Sequence, residues 1–292
     1  MPLKLKNIDS SIAPPQGLNT KVFAKGGFLV PVSQDIPIYL VNPTTMDIIQ
    51  PPSTKHIDPK CLRKLNRDIE KHIDLKHEDR MYFMNRPTLS EVYSPIRLIE
   101  ECQQYAYPAI GVYLRKGGKS LSDAIGKLVD SPAIFICPER IVDACKRISS
   151  RPGPELTSDI FLAVIFHELS HAYRDSGDRH KTLAEHIVEE SLVEAMSISR
   201  FIDKKEVEHV TQFIMNPRRP AEYLGAVYWI EISRNIPLMV VADRWREGLV
   251  PVPSHTHPYG VPYPMNSFFE WIGKTGNERL VENLANEILL HV

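Results

Sequence analysis

Residues 159–178 read DIFLAVIFHELSHAYRDSGD, and the fold turns on how this stretch is taken. Ile160–Phe166 is an unbroken run of seven apolar residues, and His167-Glu168-Leu169-Ser170-His171 follows at once. A segment apolar enough for a buried helix therefore ends in two imidazoles and a carboxylate. Residues four apart on a helix share a face, so His167 and His171 project side by side, one turn apart. Two imidazoles so placed can fill two corners of a tetrahedral Zn²⁺ site. Glu168 is angled away from ligation and can act on a metal-bound water as general base, which is the logic of the H-E-x-x-H pattern. The apolar run is expected to anchor the helix in the core and to hold the ligands at its exposed end. The helix is expected over 157–175, with Thr157 and Ser158 as N-cap candidates and Asp159 at the positive terminus.

A catalytic zinc needs a third protein ligand and an open position. The next helical stretch, 180–197, reads HKTLAEHIVEESLVEAMS. Glu190 lies nineteen residues after His171, and Glu194 stands one turn further along the same face. Glu190 as ligand with Glu194 behind it meets the need for an acid that orients a ligating group. His180, His186, Glu189 and Glu194 are the rivals for the ligand position. Glu189 and Glu190 point about 100° apart on a helix, so only one of them is expected to face the metal.

With HELSH and Glu190 in place, the chain resembles the gluzincins, zinc metallopeptidases with H-E-x-x-H on one helix and a glutamate on the next. The match here is H-E-x-x-H-x18-E, and it covers about residues 130–200. The resemblance implies His167, His171 and Glu190 as zinc ligands and Glu168 as the base. It implies a zincin-like α+β fold in which an edge strand before the active-site helix takes the peptide as an added strand; Ala133–Cys137 is the expected edge strand. The metzincin pattern fails, because Arg174 and Gly177 stand where it needs Gly and His. The aminopeptidase motif G-x-M-E-N does not occur.

Bulk properties agree with an enzyme-sized globular chain. With 292 residues it can bury roughly three quarters of its unfolded surface, so it needs no disulfide or structural metal merely to fold. A net charge of -1 argues against a nucleic-acid partner. Cys61, Cys102, Cys137 and Cys145 form no C-x-x-C pair and are expected to be free, mostly buried thiols of a reducing compartment. Cys61 is a weak candidate for a zinc-capping thiol. With no signal-like N-terminus and no run of about 18 apolar residues, the expectation is a soluble, cytoplasmic protein with no membrane partner, acting on a protein or peptide substrate.

Along the chain, residues 1–60 read as a β-rich segment or cap and 61–292 as the catalytic domain. Within the first part, 42–59 reads as a connector. Strands are expected in AIGVYLRKG (109–117) and PAIFICP (132–138), the second at a sheet edge because of its flanking prolines. From Glu139 onward the pattern is helical, and Tyr228 and Trp229 read as core. A late stretch, VPVPSHTHPYGVPYP (250–264), is rich in Pro, His and Tyr. Its His257-Pro258 is similar to a His-Pro loop found after the ligands in some H-E-x-x-H peptidases, and His257 is the expected oxyanion donor. Two other classes of function stay open: a zinc hydrolase of a non-peptide substrate, and a zincin scaffold used for binding without turnover.

Overall fold

The structure, a computed structural model, describes residues 5–7, 12, 36–62, 64, 102, 105–116, 118–126, 129–174, 183–201, 203–216, 218–232 and 240. It is an α+β arrangement of a small mixed sheet against a helical layer. The strands are β1 (Leu5–Asn7), β2 (Ile38–Leu40), β3 (Ser53–His56), β4 (Tyr105–Tyr107), β5 (Gly111–Leu114) and β6 (Ala133–Ile136). The helices are α1 (Pro43–Ile49), α2 (Gly118–Ile125), α3 (Pro138–Ile148), α4 (Pro154–Arg174), α5 (Leu183–Ile198), α6 (Lys204–Ile214) and α7 (Ala226–Ile232), with a 3₁₀ turn over Ala221–Gly225 leading into α7.

The main sheet has the order β1-β2-β6-β5, and β3 pairs with β4 separately. β1, β2 and β6 run parallel, whereas β5 runs antiparallel to β6, with Gly111 opposite Ile136 and Tyr113 opposite Ile134. The sheet therefore crosses the division at residue 60 drawn from composition. Successive side chains of a strand face opposite ways, and here both faces are covered. Ile38, Leu40, Ile134 and Ile136 join the large core with the apolar run of α4, while Tyr39 and Phe135 face a smaller cluster with Met46 and Ile49 of α1. A parallel pair buried on both faces reads as continuous apolar sequence, and β2 and β6 do.

β6 is an interior strand, not the expected edge. Pro132 precedes the paired residues and Pro138 opens α3, so neither proline removes a ladder hydrogen bond. Among the described strands, the edge beside β6 is β5. The stretch read as a connector also carries structure. Asn42 caps α1 by accepting from the Thr45 N–H at 2.8 Å, with Pro43 in the first turn, and β3 follows.

α4 begins three residues earlier than expected. Pro154 occupies the first turn, where a missing N–H costs nothing, and the Thr157 hydroxyl donates back to the Gly153 carbonyl at 3.2 Å instead of capping. Every residue from Ile160 to Phe166 is buried. α5 lies against α4 with short polar side chains between them: the Ser197 hydroxyl donates to the Ala163 carbonyl at 2.7 Å. Ser191, on the same helix, accepts from the Trp229 indole N–H at 2.9 Å, which fixes α7 to α5. α6 is capped by Asp203, which accepts the N–H of Lys205, and it buries Val207, Val210, Phe213 and Ile214 along one stripe.

Cys61 and Cys102 are joined as a disulfide, with Cα atoms 5.4 Å apart, so the expectation of four free thiols is corrected for this pair, and Cys61 is not a zinc-capping thiol. The cysteines lie 41 residues apart in sequence, and only the fold brings them within bonding range. The backbone N–H of Asp58 donates to the Cys102 carbonyl at 2.8 Å, so the cross-link sits directly behind β3. Cys137 and Cys145 are free and buried. No helix among the described residues is long and apolar enough to cross a membrane.

Candidate metal centre

α4 delivers His167, Glu168 and His171, and α5 delivers Glu189, Glu190 and Glu194, to one wall of a cavity of about 360 Å³. The lining also includes Gly111, Val112 and Tyr113 of β5 and Tyr223 of the 3₁₀ turn. Contrary to the expectation of an exposed helix end, His167 and Glu168 are buried and α4 continues past them to Arg174. His167–His171 lie in the second half of α4, which runs on past the apolar stretch, and α5 packs against the helix there.

The two imidazoles present Nε2 to each other at 3.2 Å. Glu190 closes the triangle: Oε2 is 3.3 Å from Nε2 of His167 and Oε1 is 3.5 Å from Nε2 of His171. Ligands held at roughly 2.0–2.1 Å in a tetrahedron are separated by about 3.3 Å. The three donors therefore already stand at the spacing of one face of such a shell, and their ligand atoms form a group able to hold a metal ion. The donor chemistry, two imidazoles and one carboxylate, suits a borderline divalent cation.

The outer nitrogens are committed elsewhere. His167 Nδ1 lies 2.6 Å from Glu194 Oε2, and His171 Nδ1 lies 3.2 Å from Glu189 Oε1. Glu194 is itself held by Arg219, whose guanidinium donates to Oε1 at 2.7 Å. Arg219 in turn lies over the rings of Phe213 and Tyr223, at 4.0 and 4.1 Å. Such partners fix the ring orientation and tautomer of a ligating imidazole. The 100° offset between Glu189 and Glu190 has a use: Glu190 reaches the Nε2 side and Glu189 the back of the His171 ring.

Charge in this cluster is mutually compensated. Burial lowers the proton affinity of His167, but Glu190 and Glu194 outweigh it and push the imidazole up to about 10. His171 follows the same pattern, pushed up to about 9 chiefly by Glu190 against burial. Burial disfavours the Glu194 carboxylate, yet Arg219 and His167 bring it down to about 2. Glu190 is likewise held well below the carboxylate range, with His171 and His167 overcoming burial. Glu168 differs. Burial dominates and raises its carboxyl, although the imidazoles of His167 and His171 and a hydrogen bond from the Tyr113 backbone oppose the shift.

Glu168 packs directly on β5. A Cβ added at Gly111 would lie 2.7 Å from Glu168 Oε1 and 2.7 Å from Val164 Cγ1, so the strand approaches the carboxylate as closely as it does only because residue 111 has no side chain.

Several residues of the site escaped sequence reasoning. Tyr223 stacks edge-on to His167, with ring centroids 5.7 Å apart, and lines the cavity with Tyr107. Burial and the nearby Glu190 carboxylate hold the Tyr223 hydroxyl protonated, well above its usual range. His56 lines the same cavity, and Glu222 pairs with it from behind at 2.6 Å. None of the four stands in a periodic or motif-bearing stretch; nothing in the local sequence marks them. His257 and the rest of 250–264 lie outside the described residues, as does His180. No protein-family model, curated protein or solved structure matches the chain.

Proposed function

We propose that the chain is a zinc-dependent peptidase with a zincin-like arrangement, in which His167, His171 and Glu190 hold the ion. The observation that carries this reading is the convergence of two Nε2 atoms and one carboxylate, at 3.2–3.5 Å from one another, beside a buried glutamate in a cavity. When bound, the ion supplies a Lewis acid that polarises a carbonyl and makes water acidic enough to lose a proton near neutrality.

The chain's own residues do the rest. Glu168, its proton affinity raised by burial, accepts the proton of the attacking water and delivers it to the departing amine. Glu194 and Glu189 keep the two imidazoles in the tautomer that leaves Nε2 free for ligation. Tyr223, neutral and close to His167, donates to the carbonyl oxygen as negative charge develops there. β5 lines the cavity and ends the described sheet, so an extended peptide can add to it as a further strand. This assigns to β5 the substrate-binding part that the sequence assigned to 133–137.

The deciding experiment is cleavage of a peptide library by the zinc-loaded protein, with and without a chelator, against a Glu168→Gln control. Peptide products that vanish with the chelator and in the control support the reading. Cleavage surviving in Glu168→Gln at wild-type rates, or zinc-loaded protein that cleaves nothing, overturns it.

A further inference from the structure

A second group of metal-type donors stands beside the same cavity, outside the H-E-x-x-H set, and its two imidazoles, His56 and His186, line the cavity wall. His56 comes from the end of β3, His186 from the end of the first turn of α5, and Glu222 from the 3₁₀ turn. One ligand atom from each lies within 4.8 Å of the other two. Three separate elements thus converge two imidazoles and one carboxylate on a single point. We infer that the chain binds a second divalent cation at His56, His186 and Glu222.

The environment of each donor supports this. Glu222 is completely buried, and a buried carboxylate needs compensating charge. Its Oε2 accepts the Ile57 N–H at 3.2 Å, while Oε1 lies 2.6 Å from His56 Nδ1. The carboxylate is therefore held in place by backbone, with one oxygen directed at the cluster. The His56 ring is fixed edge-on against Tyr107, at 6.0 Å, and a second imidazole, His186, stands 6.0 Å away. His186 has its Nδ1 3.7 Å from Glu190, and its Nε2 is buried without a hydrogen-bond partner. Leaving a buried polar atom unpaired is unfavourable, because it loses its water partners without replacement. A purely structural ion pair between His56 and Glu222 leaves that nitrogen unexplained, whereas a cation drawing on all three residues gives the His186 ring a reason to be there.

Imidazole and carboxylate donors suit Zn²⁺ or Co²⁺ over Mg²⁺ or Ca²⁺, which prefer oxygen shells. Glu190 links the two groups, since Oε1 faces His171 on one side and His186 on the other. The inference uses residues distinct from His167 and His171, and it stands or falls separately from the peptidase reading.

The test is metal stoichiometry of the full chain. Protein stripped by chelator is reloaded with excess Zn²⁺, passed through a desalting column and assayed by elemental analysis, with Co²⁺ absorption spectra in parallel. Wild type is expected to hold two equivalents, His186→Ala one, His167→Ala one, and the double variant none. His186 is the least disruptive ligand to remove, because its Nε2 has no partner to lose; His56→Ala is the second variant, with circular dichroism confirming its fold. Full wild-type stoichiometry in both His186→Ala and His56→Ala overturns the inference. A single equivalent lost in His167→Ala but kept in His186→Ala also overturns it while sparing the first centre. A single equivalent with the opposite pattern upholds this site and removes the first, and no bound metal at all removes both.

Discussion

Glu194 stands behind His167, with Oε2 2.6 Å from Nδ1, and Arg219 holds the other oxygen of the same carboxylate. The chain Arg219–Glu194–His167 is buried throughout, so the orientation of the imidazole is set by groups that cannot exchange partners with water. Glu194→Gln keeps the size but loses the charge that favours the Nδ1–H tautomer. Zinc affinity should fall about 10–100-fold, the size typical of such outer partners. Glu189→Gln should weaken it too, through His171, and Glu190→Ala should weaken it most. Competition titration with a chromophoric chelator gives the order, and a wild-type affinity in Glu194→Gln would contradict the orienting role.

Gly111 gives a prediction of a different kind, since it touches the proposed base and no ligand. An alanine there would place its Cβ 2.7 Å from Glu168 Oε1 and Val164 Cγ1, so either the carboxylate or β5 must move. Overpacking of this sort costs about 1–3 kcal/mol. Gly111→Ala should therefore bind zinc normally, melt at a lower temperature and lose most turnover on a peptide substrate. Unchanged kcat with a lowered melting temperature would show that the position of Glu168 relative to β5 is not critical.

The cysteines make the disulfide countable. Of the four, Cys61 and Cys102 are paired, so Ellman's reagent in denaturant should find two thiols, and four after reduction. Native protein should react slowly, because Cys137 and Cys145 are buried. Burial pushes the Cys145 thiol up to about 11 from an ordinary 9.0. The folded state thus binds this proton more tightly than the unfolded chain does. Its contribution to stability is complete below about 9 and is lost as pH rises through about 11. Melting temperatures should decline over that window, and less steeply in Cys145→Ala. Four reactive thiols before reduction would exclude the disulfide.

What could be read from the sequence was what local spacing encodes. His167 and His171 share a face because they are four apart, and Glu190 and Glu194 do so for the same reason; the structure brings the first three together as donors. The α+β class and the helical run from about Glu139 are legible in the order of the segments, and α3 to α7 lie in that run, whereas α1 and α2 are not read as helices. The errors arose where tertiary context decided. Prolines flanking β6 look like an edge signal, yet they fall outside its hydrogen-bonded residues. The stretch after Val41 reads as a connector, yet Asn42-Pro43 is a helix start by its own chemistry and β3 follows with His56 at its end. Arg219, Glu222 and Tyr223 had no signal, since a buried charge in an irregular segment looks like a surface charge until its partners are known.

The donor to the developing oxyanion separates two residues. His257 is expected from the sequence, and it lies outside the described residues. Tyr223 lies on the cavity, 5.7 Å ring to ring from His167, with its hydroxyl kept neutral by burial and by Glu190. A neutral hydroxyl is the state that can donate, and Arg219 over the ring at 4.1 Å restricts its movement. Removal of one such donor typically costs about 10²–10³ in turnover. Tyr223→Phe keeps the ring that packs on His167 and Arg219, so zinc content and folding should stay normal while kcat falls by that amount. The loss should appear in kcat more than in KM, because the interaction forms as charge develops. His257→Ala, measured on the same substrate, should then be close to wild type. A strong kcat loss in His257→Ala with little change in Tyr223→Phe would return the role to the His-Pro loop.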